Sequence, residues 1–103
     1  MQATISKGRE GWEAETEIAL DAPFVLEIRT YKSQRGLVSN VTRFKKENGG
    51  KSFIMFGDFV ENLILSKDRC TEKTVIAQHT AAMSDLEGIK SRCAAFYDAK
   101  RAD

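Results

Sequence analysis

The sequence reads as an α+β fold, a four-stranded antiparallel sheet followed by a helix, with a C-terminal helical extension. In the first half of the chain apolar residues recur at every second position, between clusters of turn-forming residues. In the second half they recur at intervals of three and four, and strands gathered ahead of helices mark this fold class. At 103 residues the chain fits a single domain, residues 1–67 giving the sheet and its helix and residues 68–103 the extension.

The first strand is predicted where Trp12, Ala14, Thr16, Ile18 and Leu20 alternate with Glu13, Glu15, Glu17 and Ala19, giving one buried and one acidic face. Asp21-Ala22-Pro23 turns the chain. A second strand alternates Phe24, Leu26, Ile28 and Thr30 with Val25, Glu27, Arg29 and Tyr31, and Ser33-Gln34-Arg35-Gly36 closes a hairpin. The third alternates Leu37, Ser39, Val41 and Arg43 with Val38, Asn40, Thr42 and Phe44, and ends at the turn signal Glu47-Asn48-Gly49-Gly50. The fourth covers Lys51 to Phe56. After Gly57, Asp58 is placed to N-cap a helix whose apolar positions are Phe59, Val60, Leu63 and Ile64.

Beyond Lys67-Asp68-Arg69, the residues Val75, His79, Ala82, Leu86, Ile89, Cys93 and Phe96 follow one another at spacings of 4, 3, 4, 3, 4 and 3, a single helical seam. Ser84-Asp85-Leu86-Glu87 matches a capping box, so residues 71–99 form either one helix or two with a break near Ser84.

Hydrophobic residues at 42% and charged residues at 30% are ordinary for a folded domain. Apolar runs such as Phe53-Ile54-Met55-Phe56 fall far short of the roughly 20 residues that cross a bilayer. Met1 to Arg9 lacks an apolar signal-peptide core, and the expected location is cytoplasmic, nuclear or organellar rather than secreted. Free thiols are therefore expected at Cys70 and Cys93. Neither belongs to a CxxC pair and His79 is the only histidine, so no structural metal is expected.

The net charge of +1 conceals a strong asymmetry. From Arg29 to Lys51 seven basic residues face one acid, an excess of +6 that leaves about −5 elsewhere, much of it in Glu10, Glu13, Glu15, Glu17, Asp21 and Glu27. Arg29, Lys32, Arg35, Arg43, Lys45, Lys46 and Lys51 are interleaved with Tyr31, Phe44 and Phe53. Cations for phosphates and rings for bases are what a single-stranded nucleic acid requires, and neighbouring antiparallel strands would set Arg29 and Tyr31 beside Asn40, Thr42 and Phe44.

Catalytic chemistry finds less support. Cys93 and His79 share the helical seam but lie 14 residues apart, about 21 Å of rise on one helix, whereas nucleophile activation needs hydrogen-bond contact. Glu13, Glu15 and Glu17 read as a solvated strand face, and Gly49-Gly50 lacks the context of a phosphate-binding loop. Neither an enzyme nor a cofactor is expected.

Phe24-Val-Leu-Glu-Ile-Arg-Thr-Tyr-Lys-Ser-Gln-Arg-Gly-Leu-Val-Ser-Asn-Val-Thr-Arg-Phe-Lys-Lys, followed by Phe53-Ile-Met-Phe-Gly-Asp-Phe-Val-Glu-Asn-Leu, resembles in its order of elements the PC4, Whirly and Pur-type fold, over about the first 65 residues. That resemblance implies a curved four-stranded sheet preceding a helix, association into a homodimer, and a basic sheet surface that binds single-stranded DNA or RNA. It further implies phosphate contacts from Arg29, Lys32, Arg35, Arg43, Lys45 and Lys46, and base stacking on Tyr31 and Phe44. Single-stranded nucleic-acid binding with little sequence specificity is the function expected, DNA preferred. The alternative is a protein-interaction or dimerisation module using the seam from Val75 to Phe96 and the basic hairpin.

Overall fold

The computed structural model describes residues 3–47, 50–51 and 58–102. Five strands form one antiparallel sheet in the order β1 (Thr4–Gly8), β2 (Gly11–Ala19), β3 (Phe24–Ser33), β4 (Gly36–Glu47) and β6 (Val60–Ser66). The two-residue β5 (Gly50–Lys51) pairs with the far end of β4. Two helices follow, α1 (Glu72–Met83) and α2 (Leu86–Ala102). The α+β class is as the sequence reads. The sheet gains β1 at its edge, where only Ile5 interrupts a run of polar and small residues and no alternation marks a strand.

Two of the hairpins turn over two residues. Gly8 pairs with Gly11 and Ser33 with Gly36, and both Gly11 (φ +120°) and Gly36 (φ +137°) occupy backbone conformations that disfavour a side chain. Gly36 is constrained twice, because a Cβ there would also run into the Ser66 carbonyl oxygen on β6. Between β2 and β3 the chain turns at Asp21–Pro23, where Phe24 N–H donates to the Asp21 carbonyl at 3.0 Å. The Ala22-Pro23 peptide is cis.

Val60, Leu63 and Ile64 lie in β6 in place of the expected helix capped by Asp58, and Phe59 precedes the strand. Its register against β4 slips by one residue between the pairs Ser39↔Ile64 and Asn40↔Asn62, so Leu63 is the extra residue of a bulge. The bulge breaks the two-residue period. Leu63 and Ile64 both pack against the core, and the resulting 60, 63, 64 pattern imitates a helix face. Strand pairing wins because β4 would otherwise leave backbone donors and acceptors unpaired along Leu37–Thr42. The expected fourth strand, Lys51–Phe56, lies beyond Lys51 outside the described residues.

The C-terminal segment is two helices. Thr71 caps α1 in a capping box with Thr74, Ser84 closes it, and α2 begins at Leu86. The seam faces the chain's own sheet: Val75, His79, Ala82, Ile89 and Cys93 are all buried. It packs on Ala14, Thr16 and Ile18 of β2, Leu26, Ile28 and Thr30 of β3, and Leu37, Ser39 and Val41 of β4. A partner helix has no access to those residues. No helix among the described residues is long and apolar enough to cross a membrane.

A polar chain runs through this layer. Ser66 Oγ donates to Gln78 Oε1 (2.7 Å), which directs Gln78 Nε2 to the Leu37 carbonyl (2.9 Å) and Ser39 Oγ (3.2 Å). Ser39 Oγ is hydrogen-bonded in turn to Thr30 Oγ1 (2.7 Å), and Thr30 Oγ1 to His79 Nδ1 (2.8 Å). The other ring nitrogen, Nε2, is hydrogen-bonded to Thr16 Oγ1 at 2.8 Å. Both ring nitrogens are engaged, and burial holds the pKa below the ordinary histidine value, favouring the neutral imidazole.

Candidate nucleic-acid interface

The strand pleat divides the sequence-predicted site residues between two faces. On the face that no described helix covers stand Arg29, Tyr31, Phe44 and Lys46. Antiparallel register sets Arg29 opposite Asn40, and the Asn40 amide donates to the Tyr31 hydroxyl at 3.0 Å. The Arg29 guanidinium lies 4.6 Å from the Tyr31 ring centre, a cation–π contact that holds the ring in place.

This face is not the uniformly basic surface that the linear charge count implies. Strand β2 lies beside β3 with Glu15 opposite Arg29 and Glu17 opposite Glu27, so a row of glutamates borders the cations. Arg29 sits 3.5 Å from Glu13, and Lys46 Nζ donates to Glu17 at 2.7 Å. With Glu13, Glu15, Glu17 and Glu27 on the same side as Arg29 and Lys46, the acidic quarter of the chain offsets the basic one.

Cations do converge at the end of the sheet formed by the β3–β4 turn. Lys32 and Arg35 meet Lys67 and Arg69, from the segment joining β6 to α1, in a cleft of about 510 Å³. Strand register makes the encounter: Leu37 pairs with Ser66, which carries Lys67 alongside the turn, where its Nζ donates to the Arg35 carbonyl at 2.6 Å. Ser33 Oγ braces the turn, accepting from Arg35 N–H (3.1 Å) and donating to the Gly36 carbonyl (3.0 Å). Against these four cations the cleft holds two acids, Glu10 and Asp68. Sequence reasoning passed over Lys67 and Arg69 as a boundary between elements. Their charge was visible, but their neighbours lie some thirty residues earlier in the chain.

The other predicted contacts sit elsewhere. Arg43 points to the helix side, its guanidinium 3.9 Å from the Phe24 ring centre and 3.8 Å from that of Tyr97. Lys45 is exposed at the same end, and Lys51 contributes backbone to β5, its side chain lying outside the described residues. From that end to the β3–β4 turn is about 30 Å, the length of a ten-residue strand.

Both cysteines are free thiols. Cys70 donates to the Trp12 carbonyl at 3.1 Å beside the hairpin-end cleft, and burial pushes the pKa of Cys93 up, with Arg43 offsetting part of the rise. Among the described residues, no group of three or more His, Cys, Asp and Glu side chains is arranged to hold a metal ion. Compared with known protein families, curated proteins and solved structures, the chain matches none.

Proposed function

We propose that this protein binds single-stranded nucleic acid, DNA in preference to RNA and with little sequence specificity, at the β3–β4 end of its sheet. The observation that carries the reading is the convergence of Lys32, Arg35, Lys67 and Arg69 from two distant chain segments on one cleft. Convergence of like charges costs electrostatic energy in the free protein, and polyanion binding recovers it. Tyr31, next to Lys32 in β3 but on the opposite face, is the ring nearest the cleft along that strand. Phosphates in the cleft and a base on Tyr31 make the strand wrap around the sheet end, and the glutamate row of β2 keeps it from spreading over the face.

Fluorescence anisotropy with a labelled single-stranded oligonucleotide across a salt series tests this. Each phosphate neutralised contributes a slope of about −0.7 to log K against log salt. Replacing Lys67 and Arg69 together by alanine is expected to make the slope shallower and weaken binding at low salt. Undetectable binding, or a salt-independent affinity, overturns the reading.

A second reading is association with another copy of this chain through the helix-free face. Val60 and Leu65 of β6 are 53% and 48% exposed there, and Leu65 pairs across the ladder with Val38. Sedimentation velocity with and without oligonucleotide separates the two: a dimer that forms without nucleic acid and dissociates on Leu65→Lys supports association.

A further inference from the structure

At the opposite end of the sheet, a groove of about 600 Å³ opens between the β2–β3 turn and α2. Its size falls within the range of small-ligand pockets. Leu20, Phe24, Ala94 and Tyr97 supply apolar wall, and Arg43, Lys90 and Asp21 supply charge. Arg43 is half-buried, and rings at 3.9 Å and 3.8 Å contact its guanidinium. Clamped between Phe24 and Tyr97, the planar group has a restricted orientation and keeps its N–H edge for hydrogen bonding. Among the described residues no carboxylate forms an ion pair with it. A half-buried guanidinium that none of the described carboxylates ion-pairs, Asp21 of the same groove included, gains from an incoming anion.

We propose that this groove binds a small carboxylate ligand with an apolar body, the carboxylate forked onto Arg43 and the body lying along Leu20, Phe24 and Ala94. A carboxylate matches a guanidinium edge with two parallel hydrogen bonds. The charge count distinguishes it from a phosphate monoester. Arg43 and Lys90 against Asp21 leave the groove an excess of one positive charge, suited to a monoanion. The hairpin-end cleft, with four cations against two acids, suits phosphate. Cys93 lines the groove as a neutral thiol and does not compete with the anion, since burial disfavours the thiolate. The two sites lie at opposite ends of β3, so this inference stands independently of nucleic-acid binding.

Titration of the isotope-labelled protein with hexanoate, followed by amide and arginine side-chain NMR, tests the proposal. Saturable shifts are expected at Leu20, Arg43, Lys90, Ala94 and Tyr97, with Lys32 and Arg35 unmoved. Arg43→Gln is expected to weaken hexanoate binding about tenfold or more, the loss of a charge-assisted fork, and Arg43→Lys to give a smaller loss. Ala94→Trp, at an exposed helix position on the groove wall, is expected to fill the groove and block binding even if Arg43 variants fold poorly. Equal shifts with hexanol would reduce the site to an apolar groove and overturn the carboxylate. Inorganic phosphate binding more tightly than hexanoate overturns it as well, and so does the absence of any saturable shift at millimolar hexanoate.

Discussion

His79 shows how a single residue couples packing to pH. Its buried ring joins Thr16 at Nε2 to Thr30 at Nδ1, at the end of a polar chain that runs from Ser66 through Gln78 and Ser39, and burial disfavours charge on it. In the unfolded chain the imidazole titrates at its ordinary value of about 6.5, and in the fold burial lowers that value. Between the two, the unfolded state binds the extra proton. The contribution of the neutral ring is therefore complete above pH 6.5 and declines as pH falls toward the folded-state value. Urea midpoints measured from about pH 7.5 down to about 5.5, on either side of the free histidine value, are expected to fall, and His79→Gln is expected to flatten that dependence while lowering stability throughout. Tyr31 belongs to the same scale. Tyr31→Ala is expected to weaken oligonucleotide binding by about 1–3 kcal/mol, the worth of one base stack, with little change in salt slope. An unchanged affinity would remove Tyr31 from the interface.

Among the elements, β4 and β6 show where local pattern and pairing diverge. Alternation in β2, β3 and β4 was legible because each has one face on the helices and keeps the two-residue period without interruption. In β6 a single bulged residue shifts that period, and the local pattern points to the wrong element. The same strand fixes the β3–β4 turn from outside, since the Ser66 carbonyl lies where a Gly36 side chain would be. Gly36→Ala combines an unfavourable positive φ with that collision and is expected to cost at least about 2 kcal/mol, read from equilibrium denaturation. Its effect should reach the cleft as well, because Lys67 and Arg35 are held together by the same register. The helical seam was read correctly in its spacing, yet spacing does not say which surface it meets. The sheet meets it, and the interaction module expected of that seam has no exposed apolar stripe to use there.

Across the molecule, the two halves that differ in pattern bury their apolar residues together, in two clusters. Leu26, Ile28 and Val41 of the sheet lie in one cluster with Ala82, Ile89 and Cys93 of the helices, and Val75 in another with Ala14 and Leu37. Residues 1–67 expressed alone are therefore expected to lack a cooperative unfolding transition by circular dichroism, having lost the side chains that cover Leu26 and Ile28. A cooperative melt of that fragment would show that the helices are an appendage. The charge distribution teaches a related lesson. A run of +6 along the chain became neither one basic face nor a random scatter, because the pleat sent alternate residues to opposite sides and β2 brought its glutamates against β3. The linear order was enough for the α+β class, three of the strands, the Ser33–Gly36 hairpin and the helical seam, since each rests on periodicity and turn chemistry within a few residues. Lys67 and Arg69 beside Arg35, the rings that clamp Arg43, and the strand at Val60–Ser66 arise from pairings between distant segments, which the three-dimensional arrangement alone selects. Those pairings depend on satisfying backbone groups and filling a shared core, and neither quantity is local to any stretch of sequence.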